Sequence, residues 1–385
     1  LLLAAPLLAL GLVALSGWSD GPDGLAHLLV TVLPRYAWTT LWLTSAVLVV
    51  VLLTGVGAAW LVAAYEFPGR RVFAWMLVLP MAMPAFVMAY AYTDFLAPAG
   101  ALQSMLRRVT GWETGEYWFP DVHSWPSAAL CLGLALYPYV YLLARTAFSE
   151  RSESLAEAAR SLGLAPWRVW WQVTWPVARP AVAAGVALVT METLADFGTV
   201  SYFAVDTLTA GIYRAWQSLG DRAGAARLAL ILLIAVMALV WLERRQRGRM
   251  QFHSRSTRPA TRLALQGRQA WFAAMACALP GLLGFVCPAL LLIAGALGSE
   301  IVIDGRLMSW VVNTALLGAG SVAVVIPIAL LSAYAARDSG SRLNRALIGL
   351  ANTGYAIPGL VLGVALLALA GLLTRWEIRE HTSEL

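Results

Sequence analysis

Apolar positions in this chain run together rather than alternating, and the runs are long. Nine stretches approach or exceed the roughly 20 apolar residues that a helix needs to cross a hydrocarbon core: 1–17, 38–65, 72–93, 126–146, 181–203, 226–242, 271–298, 308–336 and 346–373. Several exceed a straight perpendicular crossing, which predicts tilt or interfacial ends. Pro80, Pro84, Pro280 and Pro358 fall inside the runs and predict kinks. Such kinks are tolerated where a neighbouring helix or a cavity satisfies the freed backbone groups. Polar residues gather in the connections. The pattern predicts an all-α polytopic membrane protein.

Composition agrees: the 385 residues are 60% hydrophobic and 12% charged, against about 25% charged in soluble domains. All 27 basic residues are arginine. Loops 66–71, 144–180, 243–270 and 337–345 hold 2, 5, 8 and 3 of them, 18 in all. By the positive-inside rule that side is cytoplasmic, which also puts the N-terminus in the cytoplasm. No basic flank precedes the first run, so it reads as a spanning helix lacking its leading end rather than a signal peptide. The most basic stretch, 243–270, reads as a solvated linker that fixes topology and touches anionic lipid. A nucleic-acid partner is not expected. Cys131, Cys277 and Cys287 lie far apart in apolar runs and read as packing residues, with no stable metal site.

A shift of 274 residues pairs Thr40 with Thr314, Arg71 with Arg345, Ala82 with Ala356 and Pro84 with Pro358. This predicts a tandem repeat: a first half over 1–242 with about six spans, the linker 243–270, and the start of a second half over 271–385 with about three. Parallel repeats place a pathway between them. The same shift would put a second copy of 157–176 near position 431, so about twelve spans are expected at full length.

The segment 157–176, EAARSLGLAPWRVWWQVTWP, interrupts the apolar pattern on the arginine-rich side. Ser154 and Glu157 have capping-box spacing, which starts a helix. Gly163 suits its end, and Pro166 the first turn of a second helix. Pro176 and Pro180 then predict that helix's stop. The result is an elbow of two short helices with an alanine-rich face shallow enough for another protein to approach, within a loop spanning 150–180. The plainer reading is an ordinary interfacial loop.

Glu157, Ala158, Ala159, Gly163, Val173 and Pro176 resemble the EAA loop of ABC importer permeases, with Trp175 where that family usually has Leu. The resemblance implies a type I ABC importer permease fold in a bacterial inner membrane. It further implies that this loop couples the chain to a cytoplasmic ABC ATPase dimer, and that a periplasmic substrate-binding protein docks on the opposite side, where 97–125 and 204–225 are candidate loops. ATP and Mg would belong to the ATPase; no cofactor is expected here. A phosphate-binding loop needs lysine, which this chain lacks, so it is not itself an enzyme. No HExxH, GxSxG or Cys/His site is present.

The fifth span carries carboxylates at Glu192 and Asp196. With 1.5 Å per residue from about position 180, Glu192 falls roughly 18 Å in, near the midplane of a core about 30 Å thick. Asp196 would sit one turn on, on the same face, with Tyr202 beyond. Two readings stand. The carboxylates line a pathway as hard oxygen ligands for a cation, or they pair with backbone or arginine and hold helices together. The string ETLADFGTVSYF followed by GIYRAW resembles permeases of ferric-iron importers with two fused halves. That resemblance implies Fe³⁺ as substrate; similar architectures carry thiamine, polyamines or aminophosphonates. A secondary transporter working alone would explain the repeat and the carboxylates but not the elbow.

Overall fold

A computed structural model describes residues 4–16, 28–113, 115–149, 159, 161–247, 262–298, 304–338 and 354–383. They fall into two compact units, one of residues 1–291 with 357–385 and one of 292–356. The described chain is almost wholly helical. In the first unit the helices are α1 (Ala4–Ser16), α2 (Val30–Ala64), α3 (Arg70–Met76), α4 (Ala85–Leu96), α5 (Ala101–Thr110), α6 (Trp125–Ser149), α7 (Trp175–Ala195), α8 (Gly198–Tyr202), α9 (Leu208–Tyr213) and α10 (Arg222–Arg247). Later in the chain come α11 (Gly267–Gly298), α12 (Gly305–Asp338) and α13 (Gly359–Ser383). Among the described residues six helices are long and apolar enough to cross a membrane, or seven counting a bent pair as one span. The first and ninth predicted runs contain shorter apolar helices, Ala5–Leu15 and Gly359–Gly371.

The core of the first unit is built on α6, whose apolar window is 67% buried, against 44% or less in every other long span. Tyr137, Val140, Tyr141, Ala144 and Phe148 are fully enclosed. Lipid offers helices no hydrophobic reason to associate, so close backbone approach and dispersion must hold them. Small residues permit that here. A Cβ added at Gly55 of α2 would lie 3.0 Å from the Tyr137 carbonyl, and one at Gly185 of α7 would lie 2.9 Å from the Val140 Cα. Gly185→Leu is therefore expected to overpack the α6–α7 seam, costing about 1–3 kcal/mol or more. Lowered thermal stability in detergent would show it, with Gly11→Ala, whose added Cβ meets nothing within 4 Å, unchanged.

The third predicted span is not one kinked helix. Arg70–Ala82 and Ala85–Thr110 meet at 94°. Pro84 lacks an N–H and crowds the residue before it out of helical geometry. Met83 is accordingly extended (φ −113, ψ 116), after a 3₁₀ turn at Leu79–Ala82. The same punctuation recurs 274 residues on: a 3₁₀ turn at Gly354–Ala356, Pro358, and a helix starting at Gly359. The copies then differ. Ala97 before Pro98 is extended and ends α4, whereas position 372 is Leu and α13 continues.

The fifth predicted span requires two corrections. It begins earlier, because Pro176 and Pro180 do not stop a helix: Pro166–Val169, a π turn at Trp170–Thr174 and α7 run on continuously. The π turn pairs the Trp175 N–H with the Trp170 carbonyl. That wider turn accommodates Pro176, which sits in the first turn of α7, where a missing N–H costs least. The span also ends sooner, since α7 stops at Ala195 and Asp196 is extended (φ −66, ψ 127).

After the linker, Leu263–Ala264 pairs in parallel with Tyr65–Glu66, just past α2. The Leu265 N–H also donates to the Glu66 carbonyl at 2.9 Å. The following α11 lies close to the α3–α4 break. A Cβ added at Gly284 would meet Pro80 at 2.8 Å, and the Tyr92 hydroxyl donates to the Leu283 carbonyl. In the second unit α12 is one long apolar helix with no buried residue in its membrane-length window. Shifted by 274 it covers 31–64, almost the whole of α2.

Candidate functional site

Two helix breaks face one another within the first unit: the turn between α3 and α4, and the one between α7 and α8. They touch where a Cβ added at Gly198 would lie 3.3 Å from the Phe86 Cβ. Between them and α6 is a cavity of roughly 200 Å³, lined by Pro80, Met83, Pro84, Tyr139, Glu192 and Asp196 among others. Irregular backbone at membrane depth is found where it is buried in protein or lines a cavity, and both breaks satisfy that rule.

Glu192 and Asp196 thus meet in one cavity, though not on one helical stripe. Glu192 is still on α7, whereas Asp196 lies past its end and folds back over the next turn. Its Oδ1 accepts from the Thr199 N–H at 3.0 Å and the Val200 N–H at 3.1 Å, and its Oδ2 from the Thr199 hydroxyl at 3.1 Å. The carboxylate therefore caps α8, fixing the break as well as facing the cavity. Tyr202 does not extend the lining. It packs among Tyr90, His123 and Phe203, with ring centroids 5.6–6.5 Å apart. Tyr139 is the phenol that faces the cavity. Sequence reasoning passed it over, although Pro138 beside it marks a backbone irregularity in α6.

At the other end of α7 lies the elbow. Glu157 and Ala158 fall outside the described residues; Ala159 and Gly163 do not. Gly163 takes φ +82, and the Leu164 N–H reaches back to the Ala159 carbonyl at 3.1 Å. That six-to-one bond across a left-handed glycine closes a helix C-terminus. Ala159 and Val169 are buried with Leu164 and Val173 packed on them, so the two arms hold each other. Leu162, at the turn, is 83% exposed. Below it, Trp170 stacks on Trp175 at 5.6 Å and meets Trp60 of α2 edge-on at 6.2 Å. Movement of the elbow therefore bears directly on two spans.

The chain can be placed among known proteins. Residues 52–250 match the family described as binding-protein-dependent transport system inner membrane component. Among curated relatives, the molybdenum transport system permease protein ModB of Escherichia coli K12 is 30% identical over 207 residues, 51% of this chain and 86% of its own length. The sulfate transport system permease protein CysT of the same strain is 25% identical over 150 residues, 39% of this chain and 51% of its own. The Fe(3+)-transport system permease protein FbpB 2 of Haemophilus influenzae is 24% identical over 201 residues, 52% of this chain and 35% of its own. The matched region holds both helix breaks, the cavity and the elbow, and the chain belongs to the family of inner membrane permease components of binding-protein-dependent ABC importers.

Proposed function

We propose that this permease passes a hard metal cation, ferric iron, through the cavity between the two breaks. Glu192 carries the reading. It lines the cavity together with Asp196, and acidic linings select cations. Asp196 adds a second negative charge and Tyr139 a phenol, both hard oxygen donors of the kind Fe³⁺ prefers. Among the described residues no three His, Cys, Asp or Glu side chains converge.

In this reading an ATPase dimer binds the elbow on the cytoplasmic side, with ATP and Mg held there, while a loaded binding protein docks opposite. ATPase closure pushes the elbow, and α2 and α7 move together through Trp60, Trp170 and Trp175. Arginine counts support a cytoplasmic N-terminus. A second reading, an oxyanion such as molybdate or sulfate, draws on the higher identity to ModB. Uptake decides between them. With the cognate binding protein and ATPase in proteoliposomes, radiolabelled Fe³⁺ is expected to accumulate and labelled molybdate and sulfate are not. Saturable oxyanion uptake without iron uptake would overturn the cation reading and leave the permease class intact.

A further inference from the structure

The loop between α8 and α9 ties the cavity wall to the outer end of α2. Asp206 is only 19% exposed, yet it holds two guanidinium groups, Arg35 at 2.7 Å and Arg214 at 2.9 Å. Arg214 also donates to the Tyr36 hydroxyl at 3.0 Å. The next three residues carry bonds inward. Thr207 caps α9 through the Ala210 N–H, and its hydroxyl shares a bond with that of Thr209 at 2.9 Å. The Leu208 N–H donates to the Thr40 hydroxyl at 3.0 Å, and the Thr209 hydroxyl donates to the Asp196 carbonyl at 2.8 Å. Thr40, Thr199, Thr207 and Thr209 are all buried. Just before them Ala204 takes φ +53, a left-handed conformation that a residue with a Cβ holds only when its surroundings enforce it.

This chain of bonds has two unlike ends. Its inner part is enclosed, so its hydroxyls have no ready water to exchange with and are held as a unit. Its outer part is an ion trio whose arginine side chains are 74% and 50% exposed and open to salt. A weak, solvent-facing contact thus sits at the head of a stiff internal one. We propose that Asp206, with Arg35 and Arg214, is an outer latch that positions the Asp196 break through Thr209, holding the α7–α8 side of the cavity against α2. Asp206 contacts no cavity surface itself. It acts at a distance on the residue that does.

Two variants separate the latch from its transmission. Asp206→Asn removes the charge and keeps the shape; Thr209→Val removes the inward bond and leaves the ion trio. Amide hydrogen exchange of the detergent-solubilised chain reads the break directly, at the Thr199 and Val200 N–H groups that Asp196 caps. Both variants are expected to speed exchange there at least about tenfold, with the α6 core unchanged. In the reconstituted complex both should also raise ATPase activity without binding protein by about fivefold, and high salt should do the same to the wild type but not to Asp206→Asn. Unchanged exchange in either variant would overturn the latch. Faster exchange with an unchanged ratio of stimulated to basal ATPase would overturn its positioning role and reduce it to a structural pin. The ATPase readout alone rests on the importer reading. A wild-type complex with no stimulated activity would refute that reading, while hydrogen exchange would still decide the latch.

Discussion

Glu192→Gln is expected to cut iron uptake by at least about tenfold, a change of ~1.4 kcal/mol in the passage of the ion, with folded protein and basal ATPase activity kept. Glutamine preserves size and removes the charge, exchanging one acceptor oxygen for an amide donor. In a cavity walled by protein at membrane depth that charge acts on a cation more strongly than it would in water. Asp196→Asn should behave differently. Its carboxylate accepts three bonds from Thr199 and Val200; an amide nitrogen at Oδ1 would set a donor against two backbone N–H groups, and one at Oδ2 would turn the Thr199 hydroxyl to accept while giving up the charge that strengthens the two backbone bonds. That variant should lose stability together with uptake, whereas Glu192→Gln should separate the two. Uptake of the labelled ion at matched protein levels, with melting in detergent alongside, is the measurement. Undiminished iron uptake in Glu192→Gln would remove this residue from the pathway, and a gain of molybdate uptake would reverse the sign of the selectivity assigned here.

The contrast between those two carboxylates also marks how far the sequence could be read. Apolar runs located the long spans because a spanning helix satisfies its own backbone and needs only length and hydrophobicity. Pro80 and Pro84 announced a disturbance, because a missing N–H and a crowded preceding residue act locally. The second break gave no such warning. Ala195 and Asp196 are followed by apolar residues, so helical periodicity carried Asp196 onto the stripe of Glu192. What ends α7 there is the pull of the Asp196 side chain on the N–H groups of the next turn, together with Thr209 reaching in from 13 residues away. Tyr139 was missed for a related reason: which face of α6 meets the breaks is decided by packing against α2 and α7. Pro176 misled in the other direction, since a π turn upstream absorbs it.

Gly163→Pro should abolish the response of ATPase activity to the binding protein while leaving the permease folded in the membrane. A proline ring fixes φ near −65°, and Gly163 stands at +82. The left-handed turn that closes the first arm therefore cannot form, and the Leu164 to Ala159 bond is lost with it. Glu157→Arg tests the same docking from the first arm by reversing a charge and leaving the turn alone. In both, stimulated turnover is expected to fall to the basal rate in a complex that still contains the cavity and its carboxylates. Recovery of normal stimulated turnover in the two variants would sink the coupling role of the elbow. Since Pro166–Val169, the π turn and α7 run continuously to Ala195, the elbow's second arm and the cavity's glutamate lie on one unbroken helical run. A push at one end needs no relay to arrive at the other.

The short parallel ladder between Tyr65–Glu66 and Leu263–Ala264 has a consequence for how the chain is joined. Beyond covalent continuity across the arginine-rich linker, direct contacts hold α11 beside the α3–α4 break. They are the seat of Gly284 on Pro80 and the Tyr92 hydroxyl bonded to the Leu283 carbonyl, with the ladder anchoring the chain just before α11. Joining these segments on one chain raises their effective concentration on top of the contacts that seat Leu263–Ala264 on Tyr65–Glu66.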